Sequence, residues 1–288
     1  MIGTYLKERW HIAAALILSI LFILLSLSLF GDDVSDDMHI SNVLDGNPNF
    51  NYFVGISDTD YPPLLIYDGD IPIGFDIELI TWIADERGID ITFIPIPWDN
   101  IFDALRSGEI HMITSGASIT PERMEEFLFS HPYLSIEQQI AVPKDSPLTL
   151  KDFYSGEKRI GVEAGTTSED IIHDLLIKSG VITSSHIHAV GGIAEGARSL
   201  QDGEVGFIIV DQPIMAALAL EYPLKIIGSI STGEEYGIVF RKDSESLQQT
   251  INTGLRNLMD SPAWESLKAK YNINPWESDI NKRTPVGH

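Results

Sequence analysis

The 288-residue chain contains no cysteine, which excludes disulfides, thiolate metal sites and a cysteine nucleophile. It is also poor in basic residues: 19 lysines and arginines stand against 42 aspartates and glutamates, so the formal net charge is -23. A protein that binds nucleic acid needs a basic face to neutralise phosphates, and this composition does not provide one. We therefore expect no nucleic-acid partner. The absence of thiols does not by itself indicate the redox compartment.

The chain has one long apolar run, residues 12–30, which carries no charged side chain. Such a run is long enough to cross the hydrocarbon core of a bilayer as a helix. Lys7 and Arg9 precede it and Asp32 follows it, so the positive-inside rule places residues 1–11 in the cytoplasm and the rest outside. A cleaved signal peptide is the alternative, but its apolar stretch is usually shorter. We favour a retained transmembrane anchor.

The ends of the exported part look weakly structured. Residues 31–50 lack hydrophobic periodicity and are rich in Asp, Asn and Gly, which is typical of a linker. Residues 273–288 are interpreted as a C-terminal tail. The expected location of the folded part is the extracytoplasmic face of the cytoplasmic membrane, or the exterior if the anchor is cleaved.

Between these ends, short apolar segments alternate with amphipathic ones. "YFVGIS" and "IDITFIPI" have the alternation of strands, whereas "FDIELITWIADERG" places its apolar residues on one helical face and ends at Gly88. The same alternation starts again at "KRIGVEAG" and continues to "YGIVF". Strands alternating with helices of about ten residues predict an α/β protein with mostly parallel sheets. Two such series predict two lobes.

Several polar residues follow predicted strands, where open α/β sheets bind ligands. Ser118 and Arg123 follow "EIHMIT", Thr166 and Thr167 open a helix after "KRIGVEAG", and Asp211 ends the apolar strand "VGFIIVD". Together they supply an anion site and a separate acceptor for a cation. An α-amino acid presents that pair of charges.

The arginine is unusual for its position. Thr120 and Pro121 are typical of an N-cap and a first helical residue, so Arg123 falls in the first turn of a helix. A cation there is unfavourable by roughly 0.3–1 kcal/mol because of the helix dipole. An anionic ligand would explain it, and an arginine that points into solvent is the alternative. For Asp211, the alternative is a helix N-cap.

Longer segments resemble the polar amino acid-binding proteins of ABC transporters, the bacterial extracellular solute-binding proteins of family 3. The resemblance rests on "YPPLLIYDGDIPIGFDIELITWIA", on "WDNIFDALRSGEIHMITSGASITPERMEEFLFSHPY", and on "GVEAGTTSED" and "LQDGEVGFIIVDQP". It covers about residues 52–272 in the order that the family has. It implies a periplasmic-binding-protein-like fold of type II, with two α/β lobes joined by two crossover strands. The lobes would be 51–140 plus 237–272, and 144–232.

The resemblance also implies roles for individual residues. Arg123 would hold the ligand α-carboxylate, aided by Ser118 and the backbone near Thr166 and Thr167. The Gly116 carbonyl and Asp211 would receive the α-ammonium. The remaining candidates are Tyr61, which would stack on the ligand, Trp98, which would form a wall of the pocket, and Asp58, which would meet the far end of a polar side chain.

The function that follows is capture of a polar amino acid outside the cell, with arginine, lysine, histidine or glutamine as the expected cargo, and delivery to an ABC permease. We expect a monomer, no cofactor, no metal site and no catalysis. Two alternatives use the same fold: a dehydratase of cyclohexadienyl acids, arogenate or prephenate, and a ligand-sensing lobe. The dehydratase would need a general acid of raised pKa in the cleft.

Overall fold

The computed structural model of the protein describes residues 50–273, which belong to the compact unit Asp45–His288. The predicted membrane anchor at 12–30, the linker up to residue 49 and the tail from residue 274 lie outside the described residues. Within 50–273 no helix is both long enough and apolar enough to cross a membrane.

The described region alternates strands and helices as predicted. The strands are β1 (Asn51–Ser57), β2 (Ile66–Asp68), β3 (Ile71–Ile73), β4 (Asp90–Ile96), β5 (Met112–Ile113), β6 (Phe127–Phe129), β7 (Leu134–Pro143), β8 (Ile160–Glu163), β9 (Ile187–Val190), β10 (Phe207–Asp211), β11 (Leu224–Tyr236) and β12 (Val239–Arg241). The helices are α1 (Phe75–Arg87), α2 (Trp98–Ser107), α3 (Pro121–Glu126), α4 (Leu150–Ser155), α5 (Thr167–Ile172), α6 (Ile193–Gln201), α7 (Gln212–Glu221), α8 (Glu245–Met259) and α9 (Pro262–Lys270).

The strands form two five-stranded sheets and a separate hairpin of β2 and β3. The first sheet has the order β4-β1-β5-β12-β6, and the second has the order β11-β7-β10-β8-β9. The chain passes between the sheets twice, from β6 to β7 and from β11 to β12. The two passing segments pair antiparallel, with Leu134 opposite Tyr236. The sheets are therefore linked by two neighbouring stretches of extended chain.

Both sheets are mixed, which corrects the expectation of mostly parallel sheets. In the first sheet β1 is parallel to β4 and β5, whereas β12 is antiparallel to β5 and β6. In the second sheet β8 is parallel to β9 and β10, whereas β7 is antiparallel to β10 and β11. A parallel neighbour needs a helical crossover that returns the chain to the starting edge. No such helix precedes β7 or β12, because the chain enters each of them directly from the other sheet.

Burial explains the strands of the second sheet. Every residue of β8 and of β10 is buried, as expected for strands that helices cover on both faces. The amphipathic helices α2 and α6 bury one face each, and α2 ends at Gly108 in a left-handed conformation.

Two sequence interpretations were incomplete. The segment "SEDIIHDLLIKSG", which the sequence predicts as one helix, consists of α5 followed by a π-helical turn, His173–Ile177, and α9 was not predicted, although Ser261 and Pro262 mark its start.

The loop after β5 depends on one buried carboxylate. Asp76, in the first turn of α1, accepts hydrogen bonds through Oδ2 from the backbone N–H groups of Ser115 (2.9 Å) and Gly116 (2.7 Å) and from the Tyr133 hydroxyl (2.7 Å). Ser115 and Gly116 both have positive φ, 103° and 70°, so this loop is held in a conformation that most residues avoid. A Cβ at Gly116 would lie 2.7 Å from Leu64 Cδ1. Asp76 therefore fixes the loop that leads to Ser118 and Arg123.

Replacing Asp76 by alanine should destabilise the protein. The substitution leaves two buried N–H groups and one buried hydroxyl without their acceptor, and each unsatisfied group costs about 1–3 kcal/mol. We expect the free energy of unfolding to fall by about 3 kcal/mol or more, measured by urea denaturation. Asp85→Ala removes an exposed carboxylate of the same helix and should change it by less than about 0.5 kcal/mol. Equal stability of the two variants would contradict the role assigned to Asp76.

Candidate functional site

A cavity lies where the carboxyl ends of β1, β5, β8 and β10 meet. The space between its walls, which includes open solvent, amounts to about 330 Å³. The first sheet and its helices contribute Ser57, Tyr61, Trp98, Ser115, Gly116, Ser118 and Arg123, and the second contributes Glu163, Thr166, Thr167 and Asp211. Strand ends of both sheets thus surround one space, as expected for a ligand site in an open α/β sheet.

Eight of the nine predicted site residues line this cavity, and Asp58 does not. Asp58 is exposed and lines a larger neighbouring depression, which it shares with Trp98. Ser57, the last residue of β1, is buried and lines the cavity, whereas Asp58 lies in the bend that follows the strand and is exposed.

Arg123 lies in the first turn of α3, as predicted. The Thr120 hydroxyl accepts a hydrogen bond from the Arg123 backbone N–H (3.1 Å) and caps the helix. The guanidinium donates from Nη1 to the Ser118 carbonyl (3.1 Å) and from Nη2 to the Gly165 carbonyl (3.2 Å). Its Cζ lies 4.7 Å from the ring centroid of Phe102, a cation–π distance. These contacts contradict the alternative of an arginine that points into solvent.

The start of α5 forms the facing wall. Thr166 is the N-cap of this helix, but its hydroxyl donates to the Glu163 carbonyl (2.8 Å) and does not cap the helix. Gly165 precedes it with a positive φ of 73°, and its carbonyl also accepts a hydrogen bond from the Trp98 indole (3.2 Å). Trp98 and Arg123 therefore both reach from the first sheet's side to the same carbonyl on the second sheet's side.

Asp211 is a buried acceptor at the end of β10. Its carboxylate accepts hydrogen bonds from the hydroxyls of Tyr61 (3.0 Å) and Tyr236 and from the Gln138 side-chain amide. It makes no capping hydrogen bond to α7, so the interpretation as a helix N-cap is wrong for its side chain. Burial, and then the nearby Glu234 carboxylate, raise the pKa of Asp211 to about 7. The two tyrosine hydroxyls and the glutamine amide hold this side chain in one orientation.

A second acid, Glu234, lies behind Asp211. It accepts hydrogen bonds from the Gln138 amide (3.0 Å) and from the Thr167 hydroxyl. Gln138 therefore bridges two buried carboxylates, one at the end of β10 and one on β11. The sequence interpretation missed Glu234 and Gln138 because both lie within strands that join the sheets, where no motif marks them.

Glu163 is the residue that the sequence interpretation should have found. It ends the buried strand β8 and lines the cavity, and the residue is 4% exposed. Its Oε2 atom has no hydrogen-bond partner. Burial, and then the carboxylates of Asp211 and Asp58, raise the pKa of Glu163 to about 8. An acid at the end of an apolar strand was the signal that identified Asp211, and the same signal is present here.

The described residues show no candidate metal centre: between 50 and 273 no group of three His, Cys, Asp or Glu side chains is placed to hold an ion. The cavity instead presents one guanidinium and two carboxylates. Burial lowers the pKa of Arg123, while the carboxylates of Asp170, Glu234 and Asp211 raise it. The arrangement can bind a small molecule that carries a carboxylate and at least one cationic group.

Comparison with known proteins agrees with this geometry. The sequence model of the bacterial extracellular solute-binding proteins, family 3, matches residues 53–274. The chain is 28% identical to a probable histidine-binding protein of Neisseria gonorrhoeae, over 78% of this chain and 84% of that protein. It is 30% identical to an arginine-binding extracellular protein of Bacillus subtilis, over 74% of this chain and 82% of that protein.

A solved structure supports the same assignment. An ancestral arginine-binding protein bound to arginine superposes with a TM-score of 0.71 at 29% identity, covering 78% of this chain and 99% of that one. The family match extends over most of the chain and over nearly all of the described residues. The chain therefore belongs to the bacterial extracellular solute-binding proteins, family 3, and has their periplasmic-binding-protein-like α/β fold with mixed sheets.

Proposed function

We propose that this protein captures a polar L-amino acid in the cavity and delivers it to an ABC transporter permease. The observation that carries the proposal is the opposition of Arg123, from the first sheet's side, and Asp211, from the second sheet's side, across one cavity. An α-amino acid carries a carboxylate for the first and an ammonium for the second. The named relatives are a probable histidine-binding protein and an arginine-binding protein, which supports the same class of ligand.

The roles of the lining residues follow from their chemistry. Arg123 Nη1 and Nη2 each donate one hydrogen bond to a carbonyl of the cavity wall, which orients the guanidinium, and its remaining N–H groups can donate to a carboxylate. Ser118 and the start of α5 at Thr166 and Thr167 add donors beside it. On the opposite side, Asp211 and the Gly116 carbonyl accept from the ammonium.

Aromatic side chains enclose the ligand in this proposal. Tyr61 packs against Gly116 and donates its hydroxyl to Asp211, so its ring would lie over the bound molecule. Trp98 lies between the cavity and the neighbouring depression. Asp58, in that depression, would be reached only by a ligand that extends past Trp98.

We propose two lobes, 51–140 plus 237–272 and 144–232, that close on the ligand about the two connecting segments. The pairing of β7 with β11 supports a hinge there, because both connections lie side by side. Opening would separate Tyr61 from Asp211, and Arg123 and Trp98 from Gly165. The ligand would then bridge the two sides in the closed form.

The proposal also states where the protein is located and that it catalyses no reaction. The uncharged run 12–30 would anchor a monomer to the cytoplasmic membrane, with the binding region outside, where a permease can receive the ligand. We propose no catalytic step, since the relatives named above are binding proteins. A dehydratase would have to turn over arogenate or prephenate, and a binding protein would not.

Removing the guanidinium of Arg123 should abolish detectable binding. In Arg123→Ala the ligand carboxylate would be enclosed without a partner, which costs about 3–5 kcal/mol. We expect the Kd for arginine, lysine, histidine or glutamine, whichever binds the wild type most tightly, to rise more than about 100-fold in calorimetric titration. Arg106→Ala, which removes an exposed arginine of α2, should leave the Kd unchanged. Retention of wild-type affinity by Arg123→Ala would refute the carboxylate assignment.

Neutralising Asp211 should selectively weaken the binding of ligands that carry an α-amino group. In Asp211→Asn a neutral oxygen replaces the carboxylate that receives the ammonium, and a charge-assisted hydrogen bond contributes about 1.5–3 kcal/mol. We expect the Kd for the amino acid to rise about 10- to 100-fold, and the Kd for its analogue without the α-amino group to change less than about threefold.

Asp202→Asn, which alters an exposed carboxylate at the end of α6, is the matched control and should bind like the wild type. If Asp211→Asn weakened the binding of the amino acid and of its analogue equally, Asp211 would support the fold of the site and would not contact the ammonium.

A further inference from the structure

The cavity contains a carboxylate that neither end of an α-amino acid uses. Glu163 is almost completely buried, and its Oε2 faces no hydrogen-bond donor. Glutamates are rarely buried without a partner, because an unpaired buried charge is strongly unfavourable. A carboxylate of this kind at the wall of a ligand cavity is best explained by a partner that arrives with the ligand.

No group of the cavity wall supplies that partner. Arg123 is the one cationic side chain among the lining residues that the structure describes, and its guanidinium bonds to the carbonyls of Ser118 and Gly165. The charges that act on Glu163 are the carboxylates of Asp211 and Asp58, which repel it. The Tyr61 hydroxyl already donates its hydrogen bond to Asp211. The environment of Glu163 therefore favours an added positive charge.

The charge balance of the ligand follows. Arg123 neutralises a ligand carboxylate, Asp211 neutralises an α-ammonium, and Glu163 adds one further negative charge when it ionises. A glutamine side chain would supply donors but no charge. A guanidinium or an ε-ammonium supplies both, and a guanidinium can also present two parallel N–H groups to one carboxylate.

We propose that Glu163 receives the cationic side chain of the ligand and makes this site selective for a basic amino acid over neutral amino acids of the same shape. The inference rests on the proposed function, since it assumes that Arg123 and Asp211 hold the α-carboxylate and α-ammonium. It replaces Asp58, the sequence-predicted partner of the side chain, by a buried residue on the opposite side of the cleft.

Binding of a cationic side chain at Glu163 should release a proton, and this release can be measured. With a pKa of about 8, the Glu163 carboxyl is mostly protonated at pH 7 before a ligand arrives. Pairing with a cation stabilises the ionised form, so the proton leaves to solvent as the ion pair forms. Affinity for a basic amino acid should therefore rise with pH up to about 8 and then level off. Asp211, with a pKa of about 7, adds a smaller rise that every amino acid shares.

The test compares arginine with citrulline, which has the same shape and a neutral urea in place of the guanidinium. For the wild-type full chain we expect calorimetry to give a Kd at least about 100-fold lower for arginine than for citrulline. In Glu163→Gln the arginine Kd should rise at least about 30-fold, while the citrulline Kd changes less than about fivefold. The preference for arginine should therefore largely disappear.

Two further variants sharpen the comparison. Glu157→Gln changes an exposed glutamate that precedes β8 and should keep the wild-type preference. Asp58→Asn tests the competing assignment and should reduce the preference less than about threefold. A preference that survives in Glu163→Gln, or that disappears in Asp58→Asn instead, would overturn the proposal.

A measurement on the wild type covers the case in which Glu163→Gln does not fold. Titration at pH 7 in buffers of different ionisation enthalpy counts the protons released on binding. Arginine should release about one proton more than citrulline, and equal release would overturn the proposal. Wild-type protein that binds no amino acid would refute the proposed function itself, whereas amino acid binding without a charge preference would refute only the role of Glu163.

Discussion

The hydrogen bonds of the Asp76 carboxylate are the constraint on which the site depends. This side chain, at the start of α1, holds two backbone N–H groups of a left-handed loop and the hydroxyl of Tyr133. Gly116 and Ser118 lie in or just after that loop, and the loop leads to the helix that carries Arg123. Since burial raises the pKa of Asp76 to about 6, the free energy that its donors recover is needed to keep a carboxylate there at all.

A second tyrosine repeats this arrangement on the other side of the cleft. Tyr133 precedes β7 and donates to Asp76, while Tyr236 ends β11 and donates to Asp211. Their rings lie 6.3 Å apart, and the Tyr133 backbone N–H bonds to the Tyr236 carbonyl. Each connecting segment therefore positions one buried acid. This pairing ties the geometry of the ligand site to the two segments about which the halves of the molecule would move.

Burial shifts the pKa values of the acids in the cavity more than ion pairing does. Asp211 and Glu163 both have a raised pKa, and Glu234 lies close enough to Asp211 to raise its pKa further. Buried acids of this kind make the fold less stable as pH rises through their pKa values, because the unfolded chain ionises more easily. Asp211 and Glu163 both line the cavity, where the cationic ligand proposed above would offset that cost.

Much of this organisation could be predicted from the sequence, because it depends on local patterns. Apolar alternation located the strands, and polar residues after them located Arg123 and Asp211. Glu163 carried the same signal and was overlooked. The antiparallel strands β7 and β12, the bridge through Gln138 and the orientation of Asp58 could not be predicted, because pairing between distant segments decides them.

The sequence by itself therefore determined the α/β class, the excess of acid and the residues at the strand ends, since these follow from periodicity and composition. Only the tertiary structure decided which of the acids face the ligand cavity. Ser57, the last residue of β1, is buried and lines the cavity, whereas Asp58, which follows the strand, is exposed and lies outside it. The meeting of the two sheets then places Glu163 and Asp211, which are distant in sequence, on one wall opposite Arg123.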